Sequence, residues 1–201
     1  MPRKLVDPIA RRRTVALAGH AGDATTARDH LDDDDPTVRA TALAAVARAD
    51  DLHPDDLVTA LSDPSAVVRQ RAAELAAREP GDTAPTLLPS LEDPEPAVVE
   101  TAAWASGERS PAEQGVVTAL AAIARDHEDP LCREAAVAAL GALADPAGLP
   151  AILTATGDKP AIRRRAVLAL APFEGPEVDA ALQRALEDRD WQVRQAAEDL
   201  R

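Results

Sequence analysis

An arginine returns to the same local setting at intervals of about thirty residues along this chain. It stands at Arg39, Arg69, Arg133, Arg163 and Arg194, with Glu100 where a third would fall. The successive spacings are 30, 31, 33, 30 and 31. An apolar residue precedes each position (Val38, Val68, Val99, Cys132, Ile162, Val193), and alanine follows three residues later (Ala42, Ala72, Ala103, Ala136, Ala166, Ala197). A period of this length is the mark of a stacked repeat array, in which each unit buries its apolar face only against its neighbours.

Residues 54 to 80 show one unit. Leu57, Val58 and Leu61 recur at helical spacing after Pro54, and Asp63-Pro64 then interrupts the pattern. Aspartate suits an N-cap and proline the first helical turn, so a second helix is expected to start there. Val67, Val68, Ala72, Leu75 and Ala76 give it an apolar face, and Glu79-Pro80-Gly81 ends it. Leu31, Leu61, Leu91 and Leu186 close first helices elsewhere. Asp35-Pro36, Asp93-Pro94 and Asp129-Pro130 repeat the turn, with Asp158-Lys159-Pro160 and Asp188 to Trp191 as variants. Ser110 to Glu113 reads as a capping box opening another first helix. The fold predicted is all-α, a right-handed α-solenoid over 1–201, with an N-terminal half repeat at about 7–21 and six helical hairpins over about 22–201.

Stretches such as DPSAVVRQRAAEL, DPLCREAAVAAL and DRDWQVRQAAEDL resemble HEAT repeats, in the short prokaryotic form described as phycobilisome-lyase-like. The resemblance runs from about Asp7 onward. It implies that second helices line a concave side. It constrains function little, because the family holds scaffolds, lyases and hydroxylases.

On a helical wheel the recurring arginine falls inside the apolar face, since positions −1, +3, +4 and +7 lie within about 100° of it. A guanidinium there needs an acceptor, and the turn aspartate of the same or the adjacent repeat supplies one. Arg39, Arg69, Arg133, Arg163 and Arg194 are therefore expected to form an internal ladder, broken at Glu100. Positions +1, +2, +5, +8 and +9 face the other way. They collect Arg48, Arg71, Arg78, Arg109, Arg164 and Arg165 against Glu74, Glu108, Glu134 and Asp199, around Ala102, Ala105, Ala135, Ala138 and Leu168. Arg71, Arg78, Arg109, Arg164, Arg165 and Leu168 are the candidate contacts for an acidic peptide or helix. Arg48, Arg78 and Arg109 have a second reading as complements to helix C-termini.

Composition narrows the function classes. The formal net charge is −13 and aromatics are 1% of the chain, which disfavours a nucleic-acid partner. The acidity fits a salt-rich cytosol or a GC-rich genome equally. With one cysteine, no intrachain disulfide forms, and no apolar run is long enough to span a bilayer. The expected setting is cytoplasmic, the expected state monomeric, and neither cofactor nor metal is expected. His20, His30, His53 and His127 lack paired-ligand spacing. HEAT-type hydroxylases carry several His-Glu dyads that hold two irons, and His127-Glu128 is one dyad. Cys132 takes an apolar position and reads as core. Asp32 to Asp35 reads as a solvated cap. Trp104, at +4, is expected in the core beside Gly107, and Trp191 is expected to cover the end of the stack or, if exposed, to dock a partner. The leading function is a non-enzymatic adaptor for another polypeptide. The lyase resemblance implies an alternative in bilin attachment, and a HEAT-like DNA glycosylase is a further one.

Overall fold

The computed structural model describes residues 7–79 and 84–201 of the chain. It divides into two compact units, one formed essentially by the residues up to 79 and one by 86–201. The first unit holds α1 (Pro8–Ala21), α2 (Ala24–Arg28), α3 (Pro36–Arg48), α4 (Pro54–Leu61) and α5 (Ala66–Ala76). The second holds a 3-10 segment (Leu88–Glu92), α6 (Pro96–Gly107), α7 (Val116–Asp126), α8 (Pro130–Leu143), a 3-10 turn (Pro146–Gly148), α9 (Leu149–Ala155), α10 (Pro160–Ala169), α11 (Pro176–Ala185) and α12 (Trp191–Glu198). No strand occurs among the described residues, and no described helix is long and apolar enough to cross a membrane.

Each unit is a stack of helical hairpins in which second helices pack in sequence. In the first, α1 lies on α3 and α3 on α5; in the second, α6 lies on α8, α8 on α10 and α10 on α12. The core is aliphatic: Val15, Val38, Ala42 and Val46 in the first unit, Val167, Val193 and Ala197 at the end of the second. Such small side chains let backbones approach closely. A Cβ on Gly19 would stand 2.7 Å from Ala45, one on Gly107 2.8 Å from the Ala139 Cα, and one on Gly141 2.6 Å from the Ala169 Cβ. Any side chain there would have to push two helices apart.

The ladder connects each repeat to the next. Within the first unit Arg11 forks onto Asp33 and Arg39 onto Asp63, the latter at 2.8 and 2.7 Å. Within the second, Arg133 forks onto Asp158 and Arg163 onto Asp188, each by two bonds of 2.7 to 3.0 Å. The remaining amino group of the fork donates to a carbonyl in the arginine's own turn. Arg39 reaches the Asp33 carbonyl, Arg133 that of His127 and Arg163 that of Asp158. Arg69 and Arg194 make the same bond, to Asp63 and Asp188. One guanidinium thus clips two successive turns.

Two kinds of turn aspartate emerge where the sequence suggested one. Asp35, Asp129 and Asp190 are true N-caps that accept amide hydrogens of the first helical turn. Asp33, Asp63 and Asp188 lie two residues earlier and accept the arginine fork plus one amide, from Asp35, Ser65 and Asp190. The helix after Asp63-Pro64 accordingly starts at Ala66, with Ser65 as its cap. Pro80 and Gly81, read as its stop, lie outside the described residues. Asp33, expected in a solvated cap, is 2% exposed. Ser110 to Glu113 is loop rather than a capping box, since α7 begins at Val116 with Gly115 as its cap. Glu113 instead accepts the Leu87 amide at 3.0 Å and the Thr86 hydroxyl. The expected first helix before Leu91 shrinks to the 3-10 segment Leu88–Glu92.

The break in the ladder is at Val99, not Glu100. In α3, α8 and α10 a proline stands three residues before the arginine, and in α6 that spacing from Pro96 leads to Val99, which is 1% exposed. Gly107 lies eight residues after Val99, as Gly141 does after Arg133. At the facing turn, the place held by Asp33, Asp63 and Asp188 is taken by His127. Its Nδ1 accepts the Asp129 amide at 3.1 Å, the amide bond those aspartates make. Cation and anion have therefore been lost together, and Val99 faces no buried, uncompensated carboxylate.

The forks hold their carboxylates below the usual range. For Asp158 and Asp188 the bonds from Arg133 and Arg163 dominate. For Asp33 and Asp63 burial acts in the opposite sense and is outweighed by the fork, an amide bond and the guanidinium charge. A depressed folded-state pKa means that this stability is present above the unfolded value of about 4 and is lost as pH falls through the folded one. The urea midpoint followed by circular dichroism is expected to fall steeply below about pH 4; an unchanged midpoint at pH 3 contradicts this account. A second expectation uses the natural double loss. Arg163→Val leaves the Asp188 carboxylate, 15% exposed as a side chain, without its cation and is expected to cost about 3 kcal/mol. Adding Asp188→His is expected to recover at least about 1 kcal/mol, so additive losses would refute the matched-rung reading.

Candidate functional site

With Val99 in register, the outward positions of the second helices change. In the second unit they are Glu100, Thr101, Trp104 and Glu108 on α6 and its end, Glu134, Ala135, Ala138 and Ala142 on α8, and Arg164, Arg165 and Leu168 on α10. Ala102 and Ala105, expected in the apolar floor, are fully buried. Arg109, expected as a partner contact, is 6% exposed and lies 3.9 Å from Glu113. It belongs to the interior of the loop before α7, one residue beyond the outward row.

Trp104 moves the other way. It occupies +5 rather than +4 and is 45% exposed. The +5 positions of α8 and α10 are Ala138 and Leu168, both half-buried. Trp104, Ala138 and Leu168 thus form one apolar row across three stacked helices. Between α8 and α10 the row deepens into an open cleft of about 520 Å³ lined by Ala138, Gly141, Ala142, Arg165, Leu168 and Pro172 among others. Arg164 is exposed beside it, and Arg165 reaches Glu134 at 3.5 Å with 42% of its side chain exposed. Such a loose contact contributes little and exchanges readily.

The two units carry different charge on this face. In the first, Arg48 and Arg78 are exposed and Arg71 is half-buried and paired with Glu74, so the sign is basic. In the second, Glu100, Glu108, Glu134 and Asp199 outnumber Arg164 and Arg165, and the cations gather on α10. The mixed face of six arginines and four acidic residues read from the sequence is, in the second unit, a polarised surface.

The sequence profile of HEAT repeats matches residues 54–138 and 117–201, which together make up most of the chain. The chain is a HEAT-repeat protein. Its fold is similar to that of YibA from Escherichia coli (TM-score 0.66, 17% identity), over 98% of this chain and 75% of that one. It is also similar to human deoxyhypusine hydroxylase in complex with glycerol (TM-score 0.50, 20% identity), over 96% and 78% of the two chains. No curated protein matches this HEAT-repeat chain by sequence.

Other chemistry-bearing residues of this HEAT-repeat protein have local structural roles. The Cys132 thiol is fully buried and donates to the Pro96 carbonyl at 3.2 Å. Burial, together with the charges of Asp129 and Glu100, pushes its pKa up to about 11, so it is a protonated core group. His53 caps α4, and the His30 ring contacts the Thr26 carbonyl at 3.0 Å. Among the described residues, no three His, Cys, Asp or Glu side chains are grouped to hold a metal ion. Trp191 is 65% exposed at the start of α12 and does not close the stack. The Arg11–Asp33 rung was absent from the sequence reading, although Pro8 precedes Arg11 by the same three residues that separate Pro36 from Arg39.

The two placements make opposite demands on stability. Trp104→Ala is expected to change stability by less than about 1 kcal/mol, as at an ordinary surface site. A loss of about 3 kcal/mol or more in chemical denaturation, typical of a buried tryptophan, would return Trp104 to the core.

Proposed function

We propose that this HEAT-repeat protein is a non-enzymatic scaffold that holds a partner polypeptide on the exposed side of α6, α8 and α10. The observation that carries the reading is the row Trp104, Ala138 and Leu168, an apolar strip flanked by Glu100 and Glu108 at one end and Arg164 and Arg165 at the other. Tryptophan is among the residues that most often dominate binding energy, and here it shares a row with Ala138 and Leu168, which line a cleft able to take one large side chain. Of the contacts read from the sequence, Arg164, Arg165 and Leu168 belong to this surface. Arg71 and Arg78 belong to the basic face of the first unit, which by itself suits an acidic stretch of polypeptide. The carboxylates around Trp104 repel a phosphate backbone, so the partner is a protein rather than a nucleic acid. A reducing cytoplasm is the setting that suits a single buried thiol, and the chain acts there as a monomer.

A photo-crosslinking amino acid placed at Ala135, on this face, is expected to trap a polypeptide in the native host that the same group at Ala122, exposed on α7, does not trap. Equal adducts at both positions, or none at Ala135, would contradict the proposal.

A further inference from the structure

We infer that the row across α6, α8 and α10 seats an α-helix of the partner, lying with a carboxylate toward α10 and a basic residue toward α6. The inference rests on the scaffold reading and specifies the chemistry of what is bound.

Backbone satisfaction decides between a helix and an extended segment. An extended peptide arrives with unpaired amides and carbonyls, which must be met by a sheet edge or by side chains that donate and accept at once. The described residues contain no strand. The chain contains no asparagine, and the outward positions of α6, α8 and α10 are Glu, Thr, Trp, Ala, Arg and Leu. On that face only Thr101 carries a group that both donates and accepts, and its hydroxyl already donates to the Ala97 carbonyl at 2.8 Å, whereas a helix brings its backbone bonds already made.

Length and charge fix the rest. Neighbouring helix axes lie about 8–10 Å apart, so the row from Trp104 to Leu168 spans roughly 20 Å, or about 13 residues of helix. One large apolar side chain fits the cleft floored by Gly141 and Ala142 beside Leu168, and another meets the Trp104 ring. At the α10 end Arg164 is exposed and Arg165 is only loosely tied to Glu134, so a partner carboxylate can take either cation. At the α6 end Glu100 and Glu108 flank Trp104 and call for a basic residue. A partner helix with acidic residues in its first turn and basic residues in its last also satisfies its own dipole in that orientation.

The test uses the full chain and a displayed library of 14-residue helical peptides with one face randomised. Enriched peptides are expected to carry two bulky apolar residues between an acidic and a basic end. In Trp191→Phe, Trp104 is the one remaining tryptophan, and its emission is expected to shift to the blue when such a peptide binds. Arg164→Ser with Arg165→Ser is expected to weaken binding tenfold or more, and a central proline in the peptide to abolish it. Peptides that bind equally well with the proline overturn the helical mode. Peptides indifferent to the arginine pair overturn the orientation. Enrichment of no peptide sensitive to Trp104→Ala overturns the inference as a whole, while a cross-link confined to Ala135 in the native host would still support the scaffold.

Discussion

A single guanidinium that binds two turns at once is the interaction on which the rest of the architecture depends. Arg39 takes the Asp63 carboxylate with one edge and the Asp33 carbonyl with another amino group. It therefore fixes both the distance between successive repeats and the shape of the turn it starts from. Lysine could not do both, because its ammonium is a point charge without a planar fork. The aliphatic core supplies the larger share of stabilisation but is non-directional. Surfaces of alanine, valine and leucine slide past one another, and the forks hold them in register.

That division explains what the sequence made legible. Period, helix–turn–helix units and the apolar setting of the arginines follow from spacing alone, and Arg39, Arg133 and Arg163 sit where the wheel puts them. The register of α6 was hidden because Val98-Val99 and Ala102-Ala103 are doubled apolar pairs. A shift of one residue leaves the hydrophobic pattern intact, and Glu100 then passes for the missing arginine. Proline three residues upstream, and glycine eight downstream, were the signals that separate the two readings. The same shift sent Trp104 inward and Arg109 outward, so the outward face was the part most distorted. The two aspartate roles were inseparable for a related reason. Cap and rung acceptor lie two residues apart in turns rich in both, and only the direction of the fork distinguishes Asp33 from Asp35.

The outward face follows from the inward one. Because second helices are packed by their neighbours, few positions, chiefly +2 and +5, escape burial, and each repeat contributes a few side chains to the outward strip of its own unit. In the second unit they place an aromatic ring, a small-residue cleft and a pair of arginines in a line, with carboxylates at the opposite end. Two exposed tryptophans in a chain otherwise almost free of aromatic rings leave costly apolar surface in water, and Trp104 lies in an apolar row that crosses three helices.

The matched loss at Val99 and His127 bears on how the array can change in length. Every other rung of the second unit is interchangeable: excise the segment from Glu134 to Arg163, and Arg133 meets Asp188 in place of Asp158. The joint between α6 and α8 does not allow this. Removing the segment from Glu100 to Arg133 would set Val99 against the half-buried Asp158, and moving Val99 elsewhere would leave another aspartate without its cation. These two residues work as a couple, and at this boundary a repeat cannot be exchanged for a neighbour without changing both.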